Sequence, residues 1–350
     1  MNLLKSTLQE IKEVDRDIMK EERKKVDNLL KPLGSLGVLE EIAVQLSGIY
    51  RNTDLKPLKK AVVVCAGDHG VVKSGVTLQP QKVTAIMTNN IIAEGKSGVG
   101  AISKTMGADV VVVDVGVNAD LGNPKVINRK IRRGTEDLSK GPAMSREEAI
   151  KSLEVGIEVA NSLIEKGYNI LATGEMGIGN TTPSTAIMAA FTGRDPLELT
   201  GIGANISETV RRKKVEVIRK ALEINKPNKN DAIDVLSKVG GLEIGAMAGI
   251  MLTGAAKHIP VLVDGFISTA SAAIAIGLEP KVFDYLMYSH ISAEKGAKIA
   301  SSFLGFKPYL DMKMRLGEGS GAALTFGIID AAITMTKEMG TFAQTEIEAI

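Results

Sequence analysis

The sequence holds no tryptophan, one cysteine and three histidines in 350 residues, and aromatic residues make up only 3% of it. One cysteine, Cys65, excludes an intramolecular disulfide framework and a cysteine-based zinc site. So few aromatic rings leave no platforms on which single-stranded nucleic acid stacks. An excess of one charge is also missing. Lys and Arg total 43 against 41 Asp and Glu, a formal net charge of +2. That balance gives neither the basic footprint of a nucleic-acid binder nor a polybasic membrane patch. The longest apolar stretch, residues 244–278, is interrupted by Lys257, His258, Pro260 and Asp264, which excludes a membrane span. Residues 1–12 have polar and charged residues interspersed throughout and lack the apolar segment of a signal peptide. Together these absences predict a soluble cytoplasmic protein with no nucleic-acid or membrane partner. Its length allows a large core in two domains or one enlarged one.

Glycine is plentiful, with 36 residues, and so is methionine, with 14; this suits loops that approach a ligand through bare backbone. Apolar residues at Leu4, Leu8, Ile11, Ile18, Val26 and Leu29, set among Lys and Glu, predict an amphipathic helical region. Lys31-Pro32-Leu33-Gly34 ends it, and a second helix follows over 36–49. The period then changes. Four short apolar runs, at 61–65, 110–113, 170–172 and 261–263, each lead into a turn that carries glycine and an acidic residue. Helical stretches at 81–92, 146–166, 205–225, 231–238 and 242–257 separate them. Continuous apolar runs with helices between them read as buried parallel strands with crossovers. The fold class expected is α/β: an open, mostly parallel, Rossmann-like sheet flanked by helices. A small helical domain is expected from residues 1–50 plus 322–350, leaving 51–321 as the large domain. In such a sheet ligands bind outside the carboxyl ends of the strands, so four strand ends rich in glycine and carboxylate point at one crevice.

The densest motif is Gly174-Glu175-Met176-Gly177-Ile178-Gly179-Asn180-Thr181-Thr182-Pro183-Ser184. A glycine-rich turn between strand and helix offers free N–H groups and a positive helix end, which suits a phosphate. It matches neither a Walker loop nor a dinucleotide fingerprint. Its structural alternative is a tight turn with an Asn/Thr cap. In Leu316-Gly317-Glu318-Gly319-Ser320-Gly321 a single carboxylate projects between glycines, as a general base or as a solvated loop residue. Asp68-His69 raises a catalytic pair, and His290 with Glu294, four apart, a shared metal-binding helix face. No spacing supplies a third zinc ligand, so structural hydrogen bonding is the better reading of these histidines. Within the basic run Arg211-Arg212-Lys213-Lys214, one lysine directed at a phosphate is a natural counter-charge.

Seven blocks in order closely resemble the nicotinate-nucleotide–dimethylbenzimidazole phosphoribosyltransferase family. They are Lys31-Pro32-Leu33-Gly34-Ser35-Leu36-Gly37-Val38-Leu39-Glu40, Ala66-Gly67-Asp68-His69-Gly70-Val71, the turn from Gly174 to Pro183, Gly240-Gly241-Leu242-Glu243-Ile244, Val263-Asp264-Gly265-Phe266-Ile267, Ser289-His290-Ile291-Ser292-Ala293-Glu294 and the loop from Leu316 to Gly321. They span nearly the whole chain. The resemblance implies a homodimer that transfers phosphoribose from β-nicotinate mononucleotide to a nitrogen of 5,6-dimethylbenzimidazole. The products are α-ribazole 5′-phosphate and nicotinate, with inversion and without a cofactor or metal. By the same resemblance Glu318 is the catalytic base. Glu175, Gly177, Ile178, Gly179, Asn180, Thr181, Thr182, Lys214, Asp264 and Ser292 lie around the nucleotide, and Met176, Leu316, Ile86 and Met87 around the base. One segment departs from the family pattern. Ala85-Ile86-Met87 stands where a polar Gln commonly precedes Met, and Gly95-Lys96-Ser97-Gly98-Val99-Gly100 replaces a Gly-Gly-Ala-Ala-Ile-Asn-like run. That departure leaves other acceptors open, whether another benzimidazole, a purine or a phenol. A relative that binds nucleotide without turnover is the reading from another class.

Overall fold

The computed structural model describes residues 3–201 and 207–345. Three helices precede the sheet: α1 (Leu3–Glu10), α2 (Arg16–Asp27) and α3 (Val38–Tyr50). The amphipathic region expected near the N-terminus is thus two helices. Asp15 starts the second by accepting hydrogen bonds from the N–H groups of Asp17 and Ile18. The strands are β1 (Lys60–Gly67), β2 (Ala108–Gly116), β3 (Val126–Asn128), β4 (Ile170–Met176), β5 (Val261–Val263) and β6 (Leu286–Tyr288). They form one sheet in the order β3-β2-β1-β4-β5-β6, and every pairing is parallel. This is the open, doubly wound α/β order. The four expected runs are β1, β2, β4 and β5. The two strands absent from the sequence reading, β3 and β6, are three-residue edges.

Between β1 and β2 lie α4 (Lys82–Ile86), which continues through a π-helical turn over Met87–Ile92, and α5 (Gly98–Thr105). Helix α6 (Arg146–Glu165) precedes β4, and α7 (Thr181–Thr192), α8 (Pro196–Leu199), α9 (Glu208–Asn225), α10 (Ala232–Val239) and α11 (Leu242–Ala256) follow it. Helix α12 (Phe266–Leu278) joins β5 to β6, and α13 (Lys295–Leu304) and α14 (Ser320–Glu338) follow β6. The expected helix start at residue 205 lies outside the described residues, as do residues 1–2 and 346–350 of the expected small domain. The helix is described from Glu208, with the Ser207 hydroxyl accepting from the Val210 N–H.

Both sheet faces are covered, which is why the strands read as unbroken apolar runs. Alternate residues of β1 enter different cores. Ala61, Val63 and Cys65 pack with α6, α11 and α12, while Val62 and Val64 pack with Ile42 and Leu46 of α3 and with Phe326 and Ile329 of α14. Residues 244–278 resolve into α11, β5 and α12, elements buried along most of their length. Among the described residues no helix is long and apolar enough to cross a membrane. A third, smaller core of Val26, Leu29, Ala43, Val44 and Met335 joins α2, α3 and the end of α14.

Candidate active site

The chain leaves β1 for β2 on one side and returns to β4 on the other, so the strand order reverses between β1 and β4. Beyond their carboxyl ends lies a cavity of about 700 Å³, a size suited to small-molecule ligands. It is lined by the β4–α7 turn, by Asp264 and the start of α12, by Lys214, and by residues 312–318.

Glu318 enters this cavity from a strained loop. Gly317, Glu318 and Gly319 have φ of 85°, 63° and 89°, three left-handed residues in a row. Glycine adopts that conformation freely, and Glu318 is held in it by its neighbours. Gly174 of β4 makes room for the loop, because a Cβ there would stand 2.3 Å from the Glu318 carbonyl oxygen. The Glu318 carboxylate is buried and accepts a 3.4 Å hydrogen bond from the Val99 N–H at the start of α5. Burial pushes its pKa above the ordinary carboxylate value, while the Val99 N–H, the Ser97 hydroxyl and the Gly98 N–H pull against it. A carboxylate so placed is poised to accept a proton.

Asp264, just after β5, fixes the same loop from below. One of its oxygens accepts the Gly319 N–H at 3.1 Å, and the other accepts those of Gly321 and Ala322 at 2.9 and 3.0 Å. These are free donors at the first turn of α14, so Asp264 serves as a remote N-cap. His290 lies beside it, 3.8 Å from Nδ1 to Oδ1, and also lines the cavity. His290 and Glu294 do not share a helix face: His290 follows β6 and Glu294 is the residue before α13. Among the described residues no three His, Cys, Asp or Glu side chains converge as a metal-ligand set.

The turn from Gly177 to Thr181 leads directly into α7. Asn180 donates its side-chain amide to Glu175, and the Ile178 N–H donates to the Thr84 hydroxyl at 3.0 Å. Glu175 is buried and its pKa is pushed up to about 8, chiefly by desolvation, with the Asn180 hydrogen bond opposing and Asp264 and Glu243 adding to the rise. Lys214 of α9, 3% exposed, donates to the Thr181 hydroxyl at 2.5 Å. Desolvation brings its pKa down to about 8, against a weaker pull from Glu294. An amine whose pKa is lowered by burial regains its charged form more firmly when an anion joins it at a helix N-terminus.

Of the residues expected from sequence, Glu318, Glu175, Met176, Gly177, Ile178, Gly179, Asn180, Thr181, Lys214, Asp264, Ser292, Met87 and Leu316 all line this one cavity. Two do not. Thr182 is wholly buried inside α7, one residue past the turn. Ile86 is 46% exposed and points away. It lies two positions, about 200° of helix rotation, beyond the inward-facing Thr84, so Val83 and Met87 line the cavity instead. Asp68 and His69 are buried beneath the site and do not line it. Of the basic run only Lys214 lines this cavity; the Arg212 side chain is 75% exposed. Two further cavity residues are His290, read from the sequence as a structural histidine, and Val83, which no local pattern marks.

A family described as phosphoribosyltransferase matches residues 11–347. The nicotinate-nucleotide–dimethylbenzimidazole phosphoribosyltransferase of Clostridioides difficile (strain 630) is 50% identical over 347 residues, covering 99% of each chain. Its namesake from Alkaliphilus metalliredigens (strain QYMF) is 51% identical over 348 residues, again covering 99% of both. The crystal structure of the enzyme of that name from Thermus thermophilus superposes with a TM-score of 0.90 at 37% identity. It covers 96% of this chain and 100% of the other.

Proposed function

The chain belongs to the nicotinate-nucleotide–dimethylbenzimidazole phosphoribosyltransferase family, and from that premise we propose that it transfers phosphoribose from β-nicotinate mononucleotide to 5,6-dimethylbenzimidazole. The observation that carries the reading is one cavity that places a buried, backbone-held carboxylate, Glu318, across from an anion-suited turn with a buried lysine. The sugar phosphate sits on the Gly177–Thr181 turn with Lys214 as its counter-charge, and Ser292 and Asp264 border the ribose. The acceptor ring packs against Val83, Met87, Met176 and Leu316, an apolar wall.

One imidazole nitrogen of the acceptor attacks C1′ of the ribose. The bond from C1′ to the pyridinium nitrogen breaks, its electron pair stays on the ring, and nicotinate leaves with a neutral nitrogen. The attacking base would become cationic, but its N–H proton passes to the Glu318 carboxylate. Attack from the face opposite the leaving group inverts C1′, so the product is the α-nucleotide. The remaining work is positioning, which intramolecular-like alignment rewards strongly. We also propose that the functional unit is a homodimer and that, of the described residues, 3–50 with 322–345 form its small helical domain.

Incubating the protein with β-nicotinate mononucleotide and a panel of bases tests the reading. Nicotinate release that depends on a base supports it. Nucleotide binding without release under any base favours a non-catalytic relative. The apolar residues at Val83 and Met87 admit an acceptor other than dimethylbenzimidazole, and the ranking of benzimidazoles, purines and phenols decides among them.

Lys214→Met is expected to raise KM for the nucleotide by about 10- to 100-fold, the effect of losing one charge-assisted hydrogen bond of roughly 1.5–3 kcal/mol. Because desolvation brings the free amine's pKa down to about 8 and only its cationic form attracts phosphate, the affinity of the wild type for the nucleotide falls as pH rises through that value. The variant loses this limb of the profile; a limb that persists contradicts the assignment.

Glu175 faces the sugar as positive charge develops there, and that charge draws the carboxyl, pushed up to about 8 in the free protein, into the ionised form that stabilises it. Glu175→Gln is therefore expected to lower kcat by about 10-fold, more than it weakens nucleotide binding. A loss in kcat no larger than the loss in affinity rules this role out.

A further inference from the structure

Beneath the cavity lies a buried ion pair that the chemistry above does not use. His69, in the turn after β1, and Glu243, in the first turn of α11, are each 0% exposed and meet at 2.7 Å from Nε2 to Oε1. Neither lines the cavity, yet both touch the turn that does. A Cβ on Gly177 would stand 3.2 Å from His69 Nε2, 3.5 Å from Glu243 Oε1 and 2.4 Å from the Gly67 carbonyl oxygen. Gly241 closes the other side, where a Cβ would fall 2.6 Å from His69 Cε1. The first residue of the turn thus rests on the pair with no side chain between them. From the opposite side Thr84 holds the next residue through the Ile178 N–H. His69 is itself pinned, since its carbonyl oxygen accepts from the Gln81 amide at 3.2 Å.

Buried ion pairs contribute little net stability, because desolvation offsets their attraction. This one is also incompletely satisfied: His69 Nδ1 and Glu243 Oε2 have no hydrogen-bond partner among the described residues. Stability alone therefore accounts poorly for it, whereas its contact with the turn gives it a task. We propose that His69 and Glu243 are positioning residues which set the height and tilt of the Gly177–Thr181 turn, and thereby where the phosphate of the nucleotide is held relative to Glu318. This rests on the phosphoribosyl reading of the turn. The pair touches no substrate and acts only through Gly177.

Glu243→Ala removes the support, and Glu243→Gln keeps its shape and a hydrogen bond to the imidazole. In the full-length protein, Glu243→Ala is expected to lower kcat/KM for β-nicotinate mononucleotide by about 10- to 100-fold, as displacements near 1 Å do. The change falls mainly in KM for the nucleotide, and affinity for the acceptor base stays unchanged. Glu243→Gln recovers most of the loss. Binding of inorganic phosphate, measured by calorimetry, weakens in parallel. Because it requires no turnover, it separates failure of this proposal from failure of the phosphoribosyl reading. His69→Gln carries the same expectations where Glu243→Ala does not fold. A folded variant with unchanged phosphate binding and unchanged KM overturns the proposal. So does an equal loss of affinity for base and phosphate, which marks a purely structural role.

Discussion

Replacing Glu318 with alanine is expected to lower kcat by about 10²–10⁴-fold, the usual worth of a positioned general base, while nucleotide affinity stays near that of the wild type. The reason lies in how the side chain is held. Its backbone is fixed at φ 63° between two glycines, and its carboxylate is buried against the Val99 N–H. Its carboxylate is held by the Val99 N–H, and it is the Glu318 backbone N–H that reaches Glu175 beside the phosphate turn, so truncating the side chain leaves that link in place. Without the carboxylate the attacking ring nitrogen acquires positive charge with no acceptor for the departing proton. Glu318→Gln is expected to be nearly as damaging, since an amide keeps the shape and cannot take up the proton. Calorimetric binding of the nucleotide alongside steady-state rates checks both parts. A rate loss matched by an equal loss of nucleotide affinity contradicts the role.

Asp264→Ala is expected to produce the second largest effect, and on two properties together. It strands the N–H groups of Gly319, Gly321 and Ala322 at the buried start of α14. Charge-assisted hydrogen bonds of this kind contribute about 1.5–3 kcal/mol each in favourable cases, and a lost N-cap costs roughly 0.5–2 kcal/mol. Stability is expected to fall by about 2–4 kcal/mol, because the stranded groups share one carboxylate and their contributions do not simply add. The same loss frees the Gly317–Glu318–Gly319 loop, so kcat falls by about 10²-fold through misplacement of the base. Asp264→Asn keeps one acceptor oxygen and should lie between the two. Thermal melting and kcat measured on the same samples test this. An alanine variant that melts like wild type and loses only nucleotide affinity assigns Asp264 to substrate contact alone.

The contrast between these two carboxylates shows what the sequence makes legible. Glu318 stands between glycines, a local pattern whose physical meaning is a projected carboxylate in a loop of unusual backbone. Asp264 is legible as an acidic strand end, but its capping of α14 is not, because its partners are 55, 57 and 58 residues away. Likewise β1, β2, β4 and β5 announce themselves as apolar runs because helices bury both of their faces. The three-residue edges β3 and β6 carry too little pattern to be seen. Helical phase explains the misplaced side chain: Ile86 belongs to the segment flanking the cavity, but the inward register is set by Thr84 and Thr88, both wholly buried. The His69–Glu243 contact joins residues 174 apart in sequence, and only the fold brings them under Gly177.

The anomeric configuration of the nucleotide product tests the account most directly. The protein is incubated with β-nicotinate mononucleotide and dimethylbenzimidazole, and the C1′ proton of the product is read by nuclear magnetic resonance while nicotinate is counted by chromatography. A single in-line displacement assisted by Glu318 predicts the α-anomer, one nicotinate for each product and no nicotinate without acceptor. A β-anomer, or a burst of nicotinate before any acceptor is added, indicates two displacements through a covalent intermediate and contradicts it.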